Sequence, residues 1–392
     1  MIALLLGVCL AVALGWGGWN LLRRPASPGF DRGAIADLMD RRSREAPTLE
    51  GSQKIIPERP EDRRWYLPPD EAATVFEVLT RINRYDPWSY YAHRPDLRHV
   101  VDWPEHPRGR WIFRTNSLGF REDEELREAR PALRILLTGD SHTSGFCDNA
   151  DAFATRIEVA LAARGGAGSV EVLNAADIAY SFYNYVGVLE GHRGLAPHVF
   201  VVTVHGGNDF REALLPYRYF ARLPLPEWDR RDRPPEGHTG DIFVPASHQG
   251  LLSVARFKDH ASEVLLARAA ALEVFTEISA VCHARGIRLV CVHLPSPIEI
   301  ERQRMPDLVE PTMRALGLDD GDLEEHVRMT ASIMADVAAL GIEVVDTTAA
   351  LRASDEPCFW RTDLHLNLLG HQIVARELEP VLARSITSAE PR

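Results

Sequence analysis

One serine stands out by its neighbours. From Arg134 to Phe146 the chain reads RILLTGDSHTSGF, an apolar run leading straight into Gly139-Asp140-Ser141. A strand ending in Gly-x-Ser at the carboxyl edge of a sheet can set a hydroxyl at the mouth of a crevice. A helix beginning just beyond points free N–H groups at the same spot, where they favour developing negative charge. A serine hydroxyl is a weak nucleophile until a base takes its proton, so the pattern demands a histidine and an acceptor to orient it. Asp363-Leu364-His365 supplies both. Alternate residues of an extended segment point apart. A turn brings the aspartate onto the far nitrogen of the imidazole, fixing its tautomer and stabilising the imidazolium. The plainer alternative is that Asp363 and His365 only cap the helix that begins near Asn367. Acyl transfer also needs donors for an oxyanion, and Gly206-Gly207-Asn208-Asp209 offers them: the glycines allow close backbone approach and the Asn208 amide can donate. Losing one such donor typically costs about 3 kcal/mol of barrier. By itself GGND is equally a tight turn.

These residues fall at the ends of expected strands. Short Leu-rich or β-branched runs at Leu133–Leu137, Val170–Leu173, His198–Val204, Ile287–His293 and Ile342–Val345 alternate with amphipathic stretches. The latter lie near Asp151–Arg164, Phe182–Gly194, Asp259–Arg285, Asp322–Leu340 and Leu368–Arg384. Alternation of this kind predicts an α/β fold, three layers deep, with a mainly parallel five-stranded sheet covered on both faces. Ligands in such folds bind outside the carboxyl ends of the strands. The hydrolase-like domain is expected over 132–385. Within it, residues 210–250 lack periodicity and are rich in proline and aromatics, which reads either as a lid or as a surface loop pinned by its aromatics. Tyr217 and Trp228 in that segment, with His142, His205 and Asp209 at strand ends, are candidate substrate contacts. His142, His205 and His293 are spaced unlike any compact ligand motif, so no metal is expected.

Upstream, residues 65–131 are dense in aromatics and read as an irregular or short-stranded extension packed on the main domain; residues 25–64 read as a linker with one short helix near Ile35–Arg42. Residues 1–24 form the clearest topological signal. Ile2 to Leu22 is apolar apart from Asn20, with Trp16 and Trp19 near one end and Arg23 and Arg24 following. Its length suits a single membrane-spanning helix. It lacks the basic flank and small-residue site of a cleaved signal peptide.

The remaining chemistry is bounded by composition. The 392 residues are 45% hydrophobic and 26% charged, with net charge −12, which argues against nucleic acid as a partner because phosphate binding needs clustered Lys and Arg. None of the five cysteines forms a C-x-x-C pair; apart from Cys9 they either pair or stay reduced.

Taken together, GDSHTSG, GGND and DLHLNLLGH resemble the SGNH, or GDSL-like, hydrolase family over roughly Leu133 to Arg384, with the blocks in the family's order. The resemblance implies a flavodoxin-like SGNH hydrolase fold, no cofactor, and a serine esterase. Ser141 is then the nucleophile, His365 the base and Asp363 the acid. The N–H groups of Ser141 and of the residue at the family's block Gly, here Ala179, join Asn208 in the oxyanion hole. Two positions depart from the family: Ala179 replaces that glycine, and Thr362 occupies the usual place of the acid, leaving Asp363 one residue closer or a Ser-His dyad. The segment FRTNSLGFRE, Phe113 to Glu122, is similar to an element of a membrane-anchored or exported bacterial branch whose layout resembles proteins that acetylate or deacetylate cell-surface polysaccharides. It is expected to buttress the strand carrying Ser141, with Arg114 or Arg121 in a salt bridge or on substrate.

That branch implies an exported catalytic domain and an O-acylated glycan as substrate, whereas the arginines after the span favour a cytoplasmic domain. A lipid ester or thioester fits the catalytic residues equally well. The alternatives are an O-acetyltransferase working with a membrane acyltransferase, and a non-catalytic glycan-binding or scaffold protein.

Overall fold

The computed structural model describes residues 56–76, 81–166, 168–224 and 249–387. The apolar segment 2–22, the linker up to residue 55 and residues 225–248 of the expected lid, Trp228 included, lie outside the described residues. Among the described residues no helix is long and apolar enough to cross a membrane.

Two antiparallel hairpins open the described chain: β1 (Asn83–Asp86) pairs with β2 (Tyr90–His93), and β3 (Arg98–Asp102) with β4 (Arg110–Arg114). They lie in the extension that sequence alone leaves irregular or short-stranded. The central sheet follows. It comprises β5 (Leu133–Thr138), β6 (Val170–Asn174), β7 (Val199–His205), β8 (Arg288–Leu294) and β9 (Glu343–Asp346). All pairings are parallel, in the order β6-β5-β7-β8-β9. The five expected strands are all present, the last three displaced by one residue.

The sheet is covered on both faces, which explains why its inner strands are continuously buried rather than alternating. Period two sends Ile135 and Leu137 to one face and Leu136 to the other. The first face packs against the helices Phe153–Gly165 and Leu368–Thr387 through Ile157, Leu161, Val374, Leu378 and Leu382. The second packs against Phe182–Gly191, Glu263–Arg285 and Asp320–Ala339 through Val186, Leu189, Val274, Ile278 and Val337. Edge strand β9 is half-buried and ends in charge, with Glu343 paired to Arg288 at 2.6 Å.

Two helices run through 249–285: Gln249–Asp259, which the sequence reading does not mark, and Glu263–Arg285, which answers to the helix expected over Asp259–Arg285. The second starts at Glu263, whose buried carboxylate takes Arg218 Nη2 at 2.7 Å and Arg256 Nη2 at 2.8 Å. In addition, the described part of the 210–250 segment is not structureless. It forms the helices Asp209–Glu212 and Leu214–Phe220; Pro216 sits in the first turn of the latter, where its missing N–H costs nothing.

The extension is built into the domain. Arg63 Nε meets Glu190 at 2.6 Å in a buried ion pair, and Asn184 Nδ2 donates to Ser89 O at 2.8 Å. At Gly187 a Cβ would stand 2.1 Å from Trp88 O, so only glycine lets the extension's backbone lie against that helix. Arg121, from FRTNSLGFRE, neither pairs with a carboxylate nor faces substrate. It is 1% exposed and donates to three carbonyls of the turn after Ser141: Ser144 O at 3.0 Å, Gly145 O at 3.2 Å and Cys147 O at 2.8 Å. The Phe113 ring lies under its guanidinium at 4.2 Å. Burial pulls its pKa down to about 10, so it stays cationic at neutral pH. The buttress is therefore on the nucleophile's turn rather than on its strand. Replacing Arg121 by Met strands three buried carbonyls, and denaturant titration is expected to show a loss of about 3 kcal/mol. An undiminished midpoint and slope would disprove that role.

Candidate active site

β5 is the first strand of the sheet and lies between β6 and β7. The chain crosses it on the way from β6 to β7, so the loops leaving β5 and β7 diverge at the sheet's switch point and open a crevice at their carboxyl ends. Ser141 follows β5 and Asn208 follows β7 there.

Ser141 opens a one-turn helix, Ser141–Ser144, capped by Asp140, whose Oδ1 accepts the His142 N–H at 2.9 Å. Gly139 before it has no alternative, because a Cβ would lie 2.2 Å from Thr143 Oγ1 and 2.9 Å from Thr203 Cβ. His365 reaches this turn from 224 positions away, with Nε2 2.8 Å from Ser141 Oγ. Behind it, Asp363 Oδ2 lies 2.8 Å from His365 Nδ1 and its Oδ1 accepts the His365 N–H at 3.1 Å. Leu364, between them, makes this possible by adopting a left-handed φ of 61°. Such a conformation costs roughly 1–2 kcal/mol outside glycine. Burial of the Leu364 side chain beside Leu251, Ile298, Met305 and Val309 opposes that cost. A short hairpin secures the loop: Phe359 bridges Leu366, and Trp360 N donates to His365 O at 2.7 Å.

The family's usual acid position, Thr362, faces away from the triad toward the extension. Glu105 accepts the Thr362 and Arg361 N–H groups, each at 2.6 Å, and the Thr362 hydroxyl. Ala179 sits at φ 55°, the left-handed region that glycine would occupy without strain. Among the described residues no acceptor is bonded to its N–H.

Asn208 Oδ1 lies 2.6 Å from His205 Nδ1. Its Nδ2 is buried without a well-formed hydrogen bond, although the Asn208 side chain is near enough to lower the Glu212 pKa. Burial pushes Glu212 up to about 7, against the pull of Arg211 and Asn208. Asp209 is buried behind this turn, where its Oδ2 accepts Tyr185 Oη at 2.6 Å and the His205 N–H at 3.0 Å. Burial and then the neighbouring Asp140 push Asp209 well above the usual carboxyl range.

The imidazoles lie in a row. His142 lies between His205, with ring centres 3.9 Å apart, and His365, at 4.6 Å, and Phe146 covers the far face of His365 at 3.7 Å. Ser141 and His365 are 3% and 2% exposed. Ligand atoms of Asp140, His142 and His205 lie within 4.8 Å of one another. The two rings, however, face each other, whereas imidazoles sharing an ion at about 2.1 Å turn their edges to it. His293 is not among these three; its Nδ1 lies 3.3 Å from Asp346, and its Nε2 lies against Gly206.

The structure thus brings Ser141, His365, Asp363, Asn208, His142 and His205 together. Tyr217, a candidate contact, is 1% exposed in the core on the second face of the sheet, and Asp209 backs the Asn208 turn rather than lining the crevice. Sequence reasoning missed Asp140, Phe146, Tyr185 and Glu105. Asp140 carried a signal, because Asp before Ser-His-Thr is a good N-cap; Glu105 carried none.

A parallel α/β sheet presenting a histidine-bonded serine at its switch point defines a serine hydrolase. The GDSL-like lipase/acylhydrolase family model matches residues 137–373, more than half of the chain, and the protein belongs to that family as a serine hydrolase of ester bonds. Among solved structures, an acetyl xylan esterase, AlAXEase, shares 15% identity at a TM-score of 0.37, covering 64% of this chain and 99% of its own. A lipase/acylhydrolase from Enterococcus faecalis shares 14% at 0.37, covering 64% and 96%. A catalytic mutant of an acetylxylan esterase from Geobacillus stearothermophilus shares 14% at 0.35, covering 66% and 96%. A search of curated proteins gives no match.

Burial sets the acid response of this region. Burial, with smaller contributions from His205, His365 and His371, holds His142 well below the ordinary imidazole pKa. Burial takes His326 down to about 4 and His371 to about 3. These groups bind protons more readily in the unfolded chain. Their contribution to stability is therefore complete above about pH 6.5 and is lost progressively as the pH falls toward 3–4. Stability measured by denaturant at stepped pH is expected to fall below 6.5, and His326→Gln to flatten that fall; an unaltered slope in the variant would refute this assignment.

Proposed function

We propose that the protein hydrolyses a short O-acyl ester, acetyl above all, on a cell-envelope glycan, through an acyl-enzyme on Ser141. The observation carrying this reading is the 2.8 Å approach of His365 Nε2 to Ser141 Oγ, with Asp363 2.8 Å behind the ring. His365 takes the Ser141 proton as Oγ bonds to the ester carbonyl carbon, and the carbonyl π electrons move onto oxygen. Asp363 holds the ring and stabilises the imidazolium. The oxyanion is received by the N–H groups of Ser141 and Ala179 and by Asn208 Nδ2. Collapse expels the sugar alkoxide, which takes the proton from His365. Water, deprotonated by His365, then releases the acid and restores Ser141. The slight exposure of Ser141 and His365 supports a small acyl group.

The glycan is supported by the FRTNSLGFRE element and by the apolar segment 2–22, which in this reading anchors an extracytoplasmic domain. Ser141→Ala is expected to abolish fluorophosphonate labelling and to lower turnover of p-nitrophenyl acetate by at least about 10⁴-fold, and Asp363→Asn by about 10⁴-fold. Retained labelling in Ser141→Ala would sink the mechanism. Acetylated glycan as the main product when a glycan acceptor is added would identify a transferase instead. For orientation, an alkaline phosphatase fused to the C-terminus is expected to be active in cells; a fusion that accumulates without activity would place the domain in the cytoplasm.

A further inference from the structure

We propose that His205 is a positioning residue of the oxyanion hole: its proton, favoured at Nδ1 by the nearby Asp140 carboxylate and donated to Asn208 Oδ1, fixes the Asn208 amide so that Nδ2 faces the reacting carbonyl. This rests on the reading of Asn208 as an oxyanion donor.

His205 is the last residue of β7 and is fully enclosed. Its Nδ1 lies 2.6 Å from Asn208 Oδ1 and 3.2 Å from Asp140 Oδ2. Asp140 Oδ2 makes no hydrogen bond, but its lone pairs and charge stand beside Nδ1 and favour the proton on that nitrogen, from which it is donated to Asn208 Oδ1. A protonated Nδ1 in turn draws the acceptor end of the Asn208 amide toward itself. The other end, Nδ2, is left buried without a well-formed hydrogen bond. A flipped amide would set N–H against N–H and place a carbonyl oxygen where negative charge develops. The Glu212 carboxylate favours the same orientation but makes no well-formed hydrogen bond to hold it. One imidazole thereby ties the residue before the nucleophile to the residue that stabilises the oxyanion, across the switch point between β5 and β7.

The backbone of this turn is held independently of the imidazole. Asp209 Oδ2 accepts the His205 N–H at 3.0 Å, and Gly206 N donates to Leu294 O at 2.7 Å. The His142 ring packs against His205, with ring centres 3.9 Å apart and planes tilted by 37°. Replacing the His205 side chain therefore removes the relay and leaves the turn bonded.

The test is a double-mutant cycle on the full chain with p-nitrophenyl acetate. Asn208→Ala is expected to lower kcat about 10²–10³-fold, and His205→Phe about 10–100-fold with KM within about twofold. The double variant should be no slower than Asn208→Ala alone, because the relay acts only through Asn208. His205→Asn, whose amide nitrogen reaches the Nδ1 position, should recover most of the loss, whereas His205→Gln, which reaches the Nε2 position, should not. Comparison of these two carries the test if His205→Phe does not fold. A His205→Phe loss undiminished in the Asn208→Ala background, or equal activity of the Asn and Gln variants, overturns the relay and leaves the oxyanion reading intact. Unchanged turnover in Asn208→Ala overturns the oxyanion reading and the relay with it.

Discussion

The bond between Ser141 Oγ and His365 Nε2 is the constraint to which the rest of the molecule answers. It closes a span of 224 residues to 2.8 Å, and nucleophile and base lose most of their joint effect if their geometry loosens by even an ångström. Neither partner is rigid by its own local structure. Ser141 rides on a single helical turn, too short to be stable alone. His365 follows a left-handed leucine. Both are held by packing from outside. Trp103, Trp111 and Phe113 of the extension enclose Phe146 and Trp360, and Trp360 Nε1 donates to Phe146 O at 3.2 Å, stapling the loop after the nucleophile to the loop before the base.

The electrostatics of the site follow from that enclosure. In a buried crevice each dipole counts for more than in water, and an unpaired charge is costly. The row of rings meets this by keeping His142 neutral: its depressed affinity for protons leaves an uncharged face against His365, which the proposed mechanism turns into an imidazolium. Phe146 offers the other face to the same cation, a favourable contact for an aromatic ring, and Asp363 supplies the compensating negative charge. Under the proposed mechanism, the charge created in the reaction is thus met by groups already in place.

What was legible in the sequence is what depends on local pattern. The apolar runs marked all five sheet strands because the strands buried on both faces admit little else and the half-buried edge strand β9 still carries Val344 and Val345. The GDS, GGND and DLH blocks marked the strand ends because chemistry at an α/β sheet is confined there. Three things were not legible. The boundary near Glu263 is set by arginines at 218 and 256, and the first of these is distant in sequence. Tyr217 looks like a sugar-stacking residue only while its helix is unknown; once Leu214–Phe220 coils, that ring belongs to the core. The meaning of Thr362 depends on Glu105, some 257 positions away, which no local pattern connects to it.

Glu105 is one instance of a wider arrangement. Four turns assemble the site, and hydrogen bonds from the extension reach three of them. Arg121 gathers the carbonyls after Ser141. Glu105 holds the N–H groups just before Asp363. Asn83 Nδ2 donates to Asp177 at 2.8 Å, with His93 Nε2 2.7 Å from the same carboxylate but not hydrogen-bonded to it, and Asp177 in turn accepts its neighbour's N–H at 2.7 Å, fixing the turn in which Ala179 is left-handed. An alanine can occupy the place of a glycine there because the strain of its φ is overruled by a buried carboxylate with donors on several sides. The fourth turn, after β7, lies across the switch point, and its side-chain tie to the nucleophile's turn is His205 with Asp140. The extension and that single imidazole therefore divide one task between them: they supply from outside the sheet the rigidity that four short, separate turns cannot supply for themselves.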